Sequence, residues 1–250
     1  MTTIVVDSMQ VYREVPLITN QARARRAEMV SIVSVVEDWT VARHKERAEA
    51  IIGSLAPSVP FVLDAGTGMY LNALVLDVPL APKVPDEVRA EAGKIAAGAE
   101  NPRREARRLE LEISGAPERG SIWGGDLRYE AAFAYLHPTR KDLDRNILVR
   151  SQRISRGGGA EEARRLKESD LAPNPSVREA IGVKEMLLHA SGELPVDEAE
   201  RSIAARTRKL ARRQIRWFDK LARSLPDNVL VVENASDGRI KHSMHDTMGG

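Results

Sequence analysis

Ile4-Val5-Val6-Asp7-Ser8-Met9-Gln10-Val11-Tyr12-Arg13 is the stretch that decides how this chain is read. A short β-branched run predicts a buried strand. Behind it, within seven residues, come a carboxylate, a hydroxyl, an amide, a phenol and a guanidinium. In a parallel α/β sheet, ligands collect outside the carboxyl ends of the strands. The densest cluster of reactive side chains thus stands where such a sheet presents its chemistry.

Around this stretch, residues 2–6 read as the strand and residues 29–36 as another. Residues 40–55 have helical periodicity, with Ala42, Ala48, Ile51, Ile52 and Leu55 on one side and Arg43, Lys45, Glu46 and Arg47 on the wet one. Pro60 to Asp64 is a third strand, and Gly66-Thr67-Gly68 turns it into a helix near Met69–Leu76. This rhythm predicts parallel βαβ units. Helices follow at 84–98 and 101–113, then a loop at 114–126 and a strand at 129–136. Further helices are expected at 142–156, 160–167, 177–190 and 197–225, a last strand at 228–233 and a frayed tail at 234–250. The expected division is an α/β core over 1–140 with a short helical insertion near 84–115, a helical half over 141–233 that completes the core, and the tail.

Composition narrows the function classes. The apolar fraction of 42% supports a real core, and with 4% aromatics that core is mainly aliphatic. Net charge is only +2, yet residues 201–223 hold nine Lys and Arg against the single acid Asp219. Without cysteine, disulfides and thiolate zinc sites are excluded. His44, His137, His189, His242 and His245 show no metal-ligand spacing, so no protein metal site is expected. No apolar run is as long as a membrane span and no basic-then-apolar leader opens the chain, so a cytoplasmic protein without membrane contact is expected, acting as a monomer.

Candidate site residues emerge from the pattern. Asp7 can cap a turn, as Asp commonly does after a strand, or act as a general base. Gly66-Thr67-Gly68 permits a tight turn before a helix whose N-terminal N–H groups attract anions. On the last helix, Ile203, Leu210, Trp217, Phe218, Leu221 and Leu225 share one sector, with Thr207 and Gln214 in its middle. Polar groups on a buried face need partners: either nearby backbone, or the lining of a polar channel. Arg201, Arg208, Arg212 and Arg216 lie opposite or on the flank, a phosphate-binding strip with almost no acids to neutralise it.

Three ordered segments, Asp7 to Arg13, Asp64 to Leu71 (Asp-Ala-Gly-Thr-Gly-Met-Tyr-Leu) and Thr207 to Gln214, resemble the tRNA dimethylallyltransferase (tRNA isopentenyltransferase) family. The resemblance implies an α/β fold of P-loop-nucleotide-kinase type, with helices on both faces of a parallel sheet and a helical C-terminal half. It implies transfer of dimethylallyl from its diphosphate to the N6 amine of an adenosine beside the tRNA anticodon, with Mg²⁺ as cofactor. Residue by residue, Asp7 matches the base, Ser8 and Gln10 its adenine-side neighbours, and Thr19 a substrate-facing loop threonine. Gly66, Thr67, Gly68 and Tyr70 match the segment on the diphosphate, and Arg208 a further diphosphate contact. Lys209, Arg212, Arg213, Gln214 and Arg216 match the basic tRNA-facing helix. Arg103 and Arg104, in Asn101-Pro102-Arg103-Arg104, resemble the remnant of another tRNA-contacting motif. Ala180-Ile181-Gly182-Val183-Lys184-Glu185 matches a segment assigned a structural role. Asp64 departs from the family pattern, which has a small or apolar residue there.

Family members begin with a strand, a Gly-rich phosphate loop and a helix that this sequence does not contain. Two expectations arise from that: a natural start upstream of Met1, or a degenerate paralogue. Two other functions stay open at this point, a non-catalytic RNA-binding relative and an enzyme acting on free adenine nucleotides. The short insertion favours the nucleotide acceptor, and the basic helix favours tRNA.

Overall fold

The computed structural model describes residues 1–78, 80, 84–100, 102–115, 121–226, 229, 231–234 and 240–243. The chain divides into two compact units: residues 1–74 with 129–250, and residues 75–128.

In the first unit, β1 (Thr2–Val6) and β2 (Phe61–Ala65) run parallel, in a register that sets Thr2 against Phe61 and Val6 against Ala65. Burial does not alternate along β1: Ile4, Val5 and Val6 are all buried, as expected of a strand covered on both faces. The connection between the two strands runs through α1 (Val41–Gly53), capped by Thr40, whose hydroxyl accepts from the Arg43 N–H. Past β2 the chain enters α2 (Gly68–Val75).

The strand expected at 29–36 does not form. Met29 and Ser31 have φ of 67° and 53°, which breaks an extended run. Glu28, just ahead of the segment, pairs singly with Ile4 of β1, and Val33 pairs singly with Tyr12 in the loop beyond β1. Its buried apolar side chains pack as a loop, tied by Glu14, which accepts from Ser34 Oγ at 2.7 Å and Val35 N at 3.0 Å.

The second unit is a helical hairpin, α3 (Asp86–Ala96) and α4 (Pro102–Ile113), with Leu76 and Leu127 paired at its base.

The rest of the first unit is helical with a second small sheet. It contains β3 (Phe133–Leu136), α5 (Arg140–Ser155), α6 (Gly158–Glu168), α7 (Pro175–Arg178), α8 (Val183–Ala190), α9 (Val196–Ser224), β4 (Val231–Asn234) and β5 (Ile240–Ser243). β3 pairs with β4 in parallel, and β4 with β5 antiparallel. Three expectations need correcting. The single helix over 177–190 is broken, because Gly182 takes φ of 91° and separates α7 from α8. The expected tail contains β5; the remainder of 235–250 lies outside the described residues. The strand expected at 129–136 is confined to its last four residues.

α9 is fixed by a buried carboxylate. Glu185 on α8 accepts from Gly182 N at 2.9 Å, Ser202 Oγ at 3.0 Å and Arg206 Nη1 at 2.7 Å. A buried charge so satisfied holds its partners in one geometry, and its removal strands the others.

Candidate active site

β1 and β2 end side by side, so the residues just past one strand meet those just past the other. Asp7 leaves β1 and folds back on its own chain. Its Oδ1 accepts from Met9 N at 2.7 Å and Gln10 N at 3.1 Å, the turn its residue type favours. That fixes the carboxylate without consuming Oδ2. Behind β2, the N–H groups of Gly66 and Thr67 both donate to Val6 O at 3.1 Å. Thr67 Oγ1 accepts from Ser8 N at 3.2 Å and lies 3.4 Å from Asp7 Oδ2, to which it donates. Asp7, Ser8 and Thr67 therefore form one constellation at the carboxyl edge of the sheet.

Glycine is required at the two flanking positions by space. A Cβ on Gly66 would stand 2.7 Å from Asp7 Oδ2, and one on Gly68 would overlap the Trp217 ring at 2.1 Å. Trp217 comes from α9 and donates through Nε1 to Asn72 Oδ1 at 3.2 Å. From the same helix, Gln214 Nε2 donates to Gly66 O at 2.6 Å. Of the two polar residues in the apolar sector of α9, Thr207 thus takes the local solution, donating to Ile203 O at 2.7 Å. Gln214 instead latches α9 onto the Gly66 turn through its Nε2.

Arg208 pairs through Nε with Asp144 Oδ1 on α5 at 3.1 Å, half exposed, with Nη groups left for another partner. Lys209, Arg212, Arg213 and Arg216 line an open hollow of about 590 Å³ with Ile215, and none of the four has a carboxylate partner among the described residues. The walls of that hollow do not include Asp7 or Thr67. Arg103 and Arg104 fall on α4, in the second unit, with side chains outside the described residues.

Two residues assigned to the substrate side lie inside. Thr19 is buried, its hydroxyl donating to Val15 O and accepting from Gln21 Nε2, both at 2.7 Å. Tyr70 is buried against the His44 ring, 5.0 Å between centroids, and burial raises its phenol pKa. Their hydrophobic and hydrogen-bonding surroundings make them supports of the site. Tyr12 is also interior, held by Asn174 Nδ2 at 3.1 Å.

Comparison with known proteins gives these positions a context. The IPP transferase family pattern matches residues 10–112 and 94–221. A tRNA dimethylallyltransferase of Rubrobacter xylanophilus is 59% identical over 99% of this chain and 87% of its own length. This chain belongs to the IPP transferase family. Another tRNA dimethylallyltransferase, from Thermobifida fusca, is 30% identical over 85% of this chain and 75% of its own. Among solved structures, the tRNA isopentenylpyrophosphate transferase of Bacillus halodurans superposes with a TM-score of 0.66 at 24% identity, covering 93% of this chain and 81% of that one. A eukaryotic dimethylallyltransferase acting on tRNA gives 0.69 at 18% identity, over 95% and 68%. Those two likenesses establish that the α/β fold is the one IPP transferases share.

Within this family member, the structure shows contacts around the candidate site that no sequence pattern marks. Glu162, buried on α6, accepts from Leu17 N at 2.6 Å and Ile18 N at 2.9 Å, and Arg150 Nη2 donates to Ile18 O at 3.3 Å. Together they clamp the loop that carries Thr19. Burial holds the Arg150 pKa down, against the pull of the Asp7 carboxylate. Arg23 bridges Asp64 and Gln10. None of these had a sequence signal, because each acts through a contact far along the chain. A Mg²⁺ cage is not among the described residues: no group of three or more acidic or imidazole side chains converges. Mg²⁺ usually keeps several waters and is held through one or two carboxylates together with substrate phosphates, so it needs no protein-built cage. No described helix is long and apolar enough to cross a membrane.

Proposed function

We propose that this chain transfers a dimethylallyl group from dimethylallyl diphosphate to the N6 amine of an adenosine in tRNA, beside the anticodon. The observation that carries the reading is the Asp7–Thr67 pair at the shared carboxyl edge of β1 and β2, locked onto α9 through Gln214. The 59% identity to a protein named for this activity supports it.

In the proposed reaction the adenosine amine attacks the allylic carbon that carries the diphosphate. The new C–N bond forms as the C–O bond breaks, the diphosphate leaves with the electron pair, and the amine proton passes to Asp7. A carboxylate fixed by two backbone N–H groups through one oxygen can take a proton on the other, and general bases of this kind contribute about 10²–10⁴-fold. Thr67 positions that oxygen. The Gly66–Gly68 turn and Arg208 receive the diphosphate, the first at the α2 N-terminus beyond the Gly66 and Thr67 N–H groups that Val6 O already takes, and the second by its unpaired Nη groups. Ser8 and Gln10 face the base. Lys209, Arg212, Arg213 and Arg216 take RNA phosphates, with Arg103 and Arg104 on α4 as further contacts. Mg²⁺ belongs to this reading as a counter-charge brought in with the diphosphate, and no step is assigned to it.

The test is transfer of labelled dimethylallyl to bulk tRNA, with Asp7→Ala as control and AMP as competitor. Transfer to tRNA that vanishes in the control is expected. Label appearing only on AMP would move the acceptor to a free nucleotide, and RNA binding without transfer would leave a binding protein.

A further inference from the structure

Arg23 joins two groups on the rim of the site. Through Nη1 it pairs with Asp64, near the end of β2, and through Nη2 it donates to Gln10 Oε1 at 2.6 Å. Its side chain is 23% exposed, and both bonds lie on the exposed rim of the site. Gln10 is itself tethered beside the carboxylate, because its backbone N–H donates to Asp7 Oδ1. Asp64, the position that departs from the family pattern, thus has a partner that reaches across to the substrate side.

The chemistry of the fork decides which end of Gln10 is free. A guanidinium only donates, so the atom it meets on Gln10 is the carbonyl oxygen. A charge-assisted bond holds that oxygen, and the NH₂ end is the one left for another partner. We infer that Arg23, anchored by Asp64, is a positioning residue that fixes Gln10 with its NH₂ toward the acceptor base, where it donates to adenine N1. This rests on the transferase reading above. Adenine presents an acceptor at N1 beside its N6 amine. Guanine presents an N1–H donor there, which would face the NH₂ donor to donor. A site built to hydrogen-bond one pattern leaves buried groups unpaired with the other. Asp7 takes the N6 proton and Gln10, bonded to it through the backbone, takes the neighbouring ring atom.

The experiment measures dimethylallyl transfer to anticodon stem-loop RNAs carrying adenosine, 1-deazaadenosine or 7-deazaadenosine at the acceptor position. For the unaltered protein, loss of N1 is expected to lower kcat/KM by about tenfold or more, and loss of N7 much less. Arg23→Ala, in which the amide can rotate, is expected to lose most of that discrimination, chiefly through KM. Arg23→Lys, which cannot fork to both partners, and Asp64→Asn, which keeps the cation, are expected to fall between. Gln10→Ala should ignore the deaza substitution. The inference is overturned if Arg23→Ala, folded by its melting curve, discriminates as the unaltered protein does. It is overturned equally if N7 and not N1 is the sensitive atom. Failure of the unaltered protein to modify the plain adenosine RNA would instead overturn the transferase reading.

Discussion

At the level of single residues, the site depends on one carboxylate oxygen being held still while the other stays usable. Asp7 Oδ1 is anchored by two N–H groups, and Oδ2 has Thr67 on one side and the bare Cα of Gly66 on the other. Gly66→Ala would place a methyl 2.7 Å from Oδ2, closer than real contacts allow, and displace it. A displacement of ~1 Å at a reacting group can cost about 100-fold, so kcat is expected to fall by one to two orders of magnitude while tRNA affinity stays near its original value. Steady-state kinetics beside a filter-binding titration would check this. Asp7 was legible in the sequence because a strand followed by a polar cluster is a local signal. Arg23, Arg150 and Glu162 were not, since their partners lie 41, 132 and 145 positions away.

At the level of elements, the helices were read more surely than the loops. α1, α5 and α9 carry long periodic faces and end near where that periodicity ends. The segment over 29–36 misled because burial of Met29, Val33 and Val35 looks alike whether the backbone is extended or turned. Only the left-handed φ at Met29 and Ser31 separates the two, and neither residue type signals it. The join of α9 to the Gly66 turn is the element contact on which the site leans. Gln214→Leu removes the donor from Gly66 O, and a lost buried hydrogen bond costs roughly 1–3 kcal/mol. Urea unfolding should show that loss together with a fall in kcat. Gly68→Ala, set against the Trp217 ring, is expected to cost about 1–3 kcal/mol through overpacking.

For the molecule as a whole, two dependences on solution conditions emerge. His44 is buried in the first unit, with Nδ1 accepting from Trp39 Nε1 at 3.2 Å and Nε2 without a partner among the described residues. Desolvation lowers its pKa to about 4. Its ordinary value is 6.5, so the unfolded chain takes the proton first as pH falls. The stability present above pH ~6.5 is therefore lost progressively towards about pH 4, by an amount on the order of 3 kcal/mol. His44→Phe should flatten that part of the stability–pH curve, as measured by chemical denaturation. The strip of Lys209, Arg212, Arg213 and Arg216 sets the second dependence. Each cation changed to Gln should reduce the salt slope of RNA binding by about 0.7–0.9, with little change in the rate at saturating RNA. The excess of base over acid along 201–223 was plain in the sequence; that Gln214 in its midst turns inward was not.

The most direct test separates chemistry from binding. Single-turnover transfer of dimethylallyl to tRNA should be measured for the unaltered chain and for Asp7→Asn, each with its tRNA dissociation constant. The expected result is a rate at least about 100-fold lower in the variant with unchanged tRNA affinity. A variant that transfers at the original rate would contradict the assignment of Asp7 as the base.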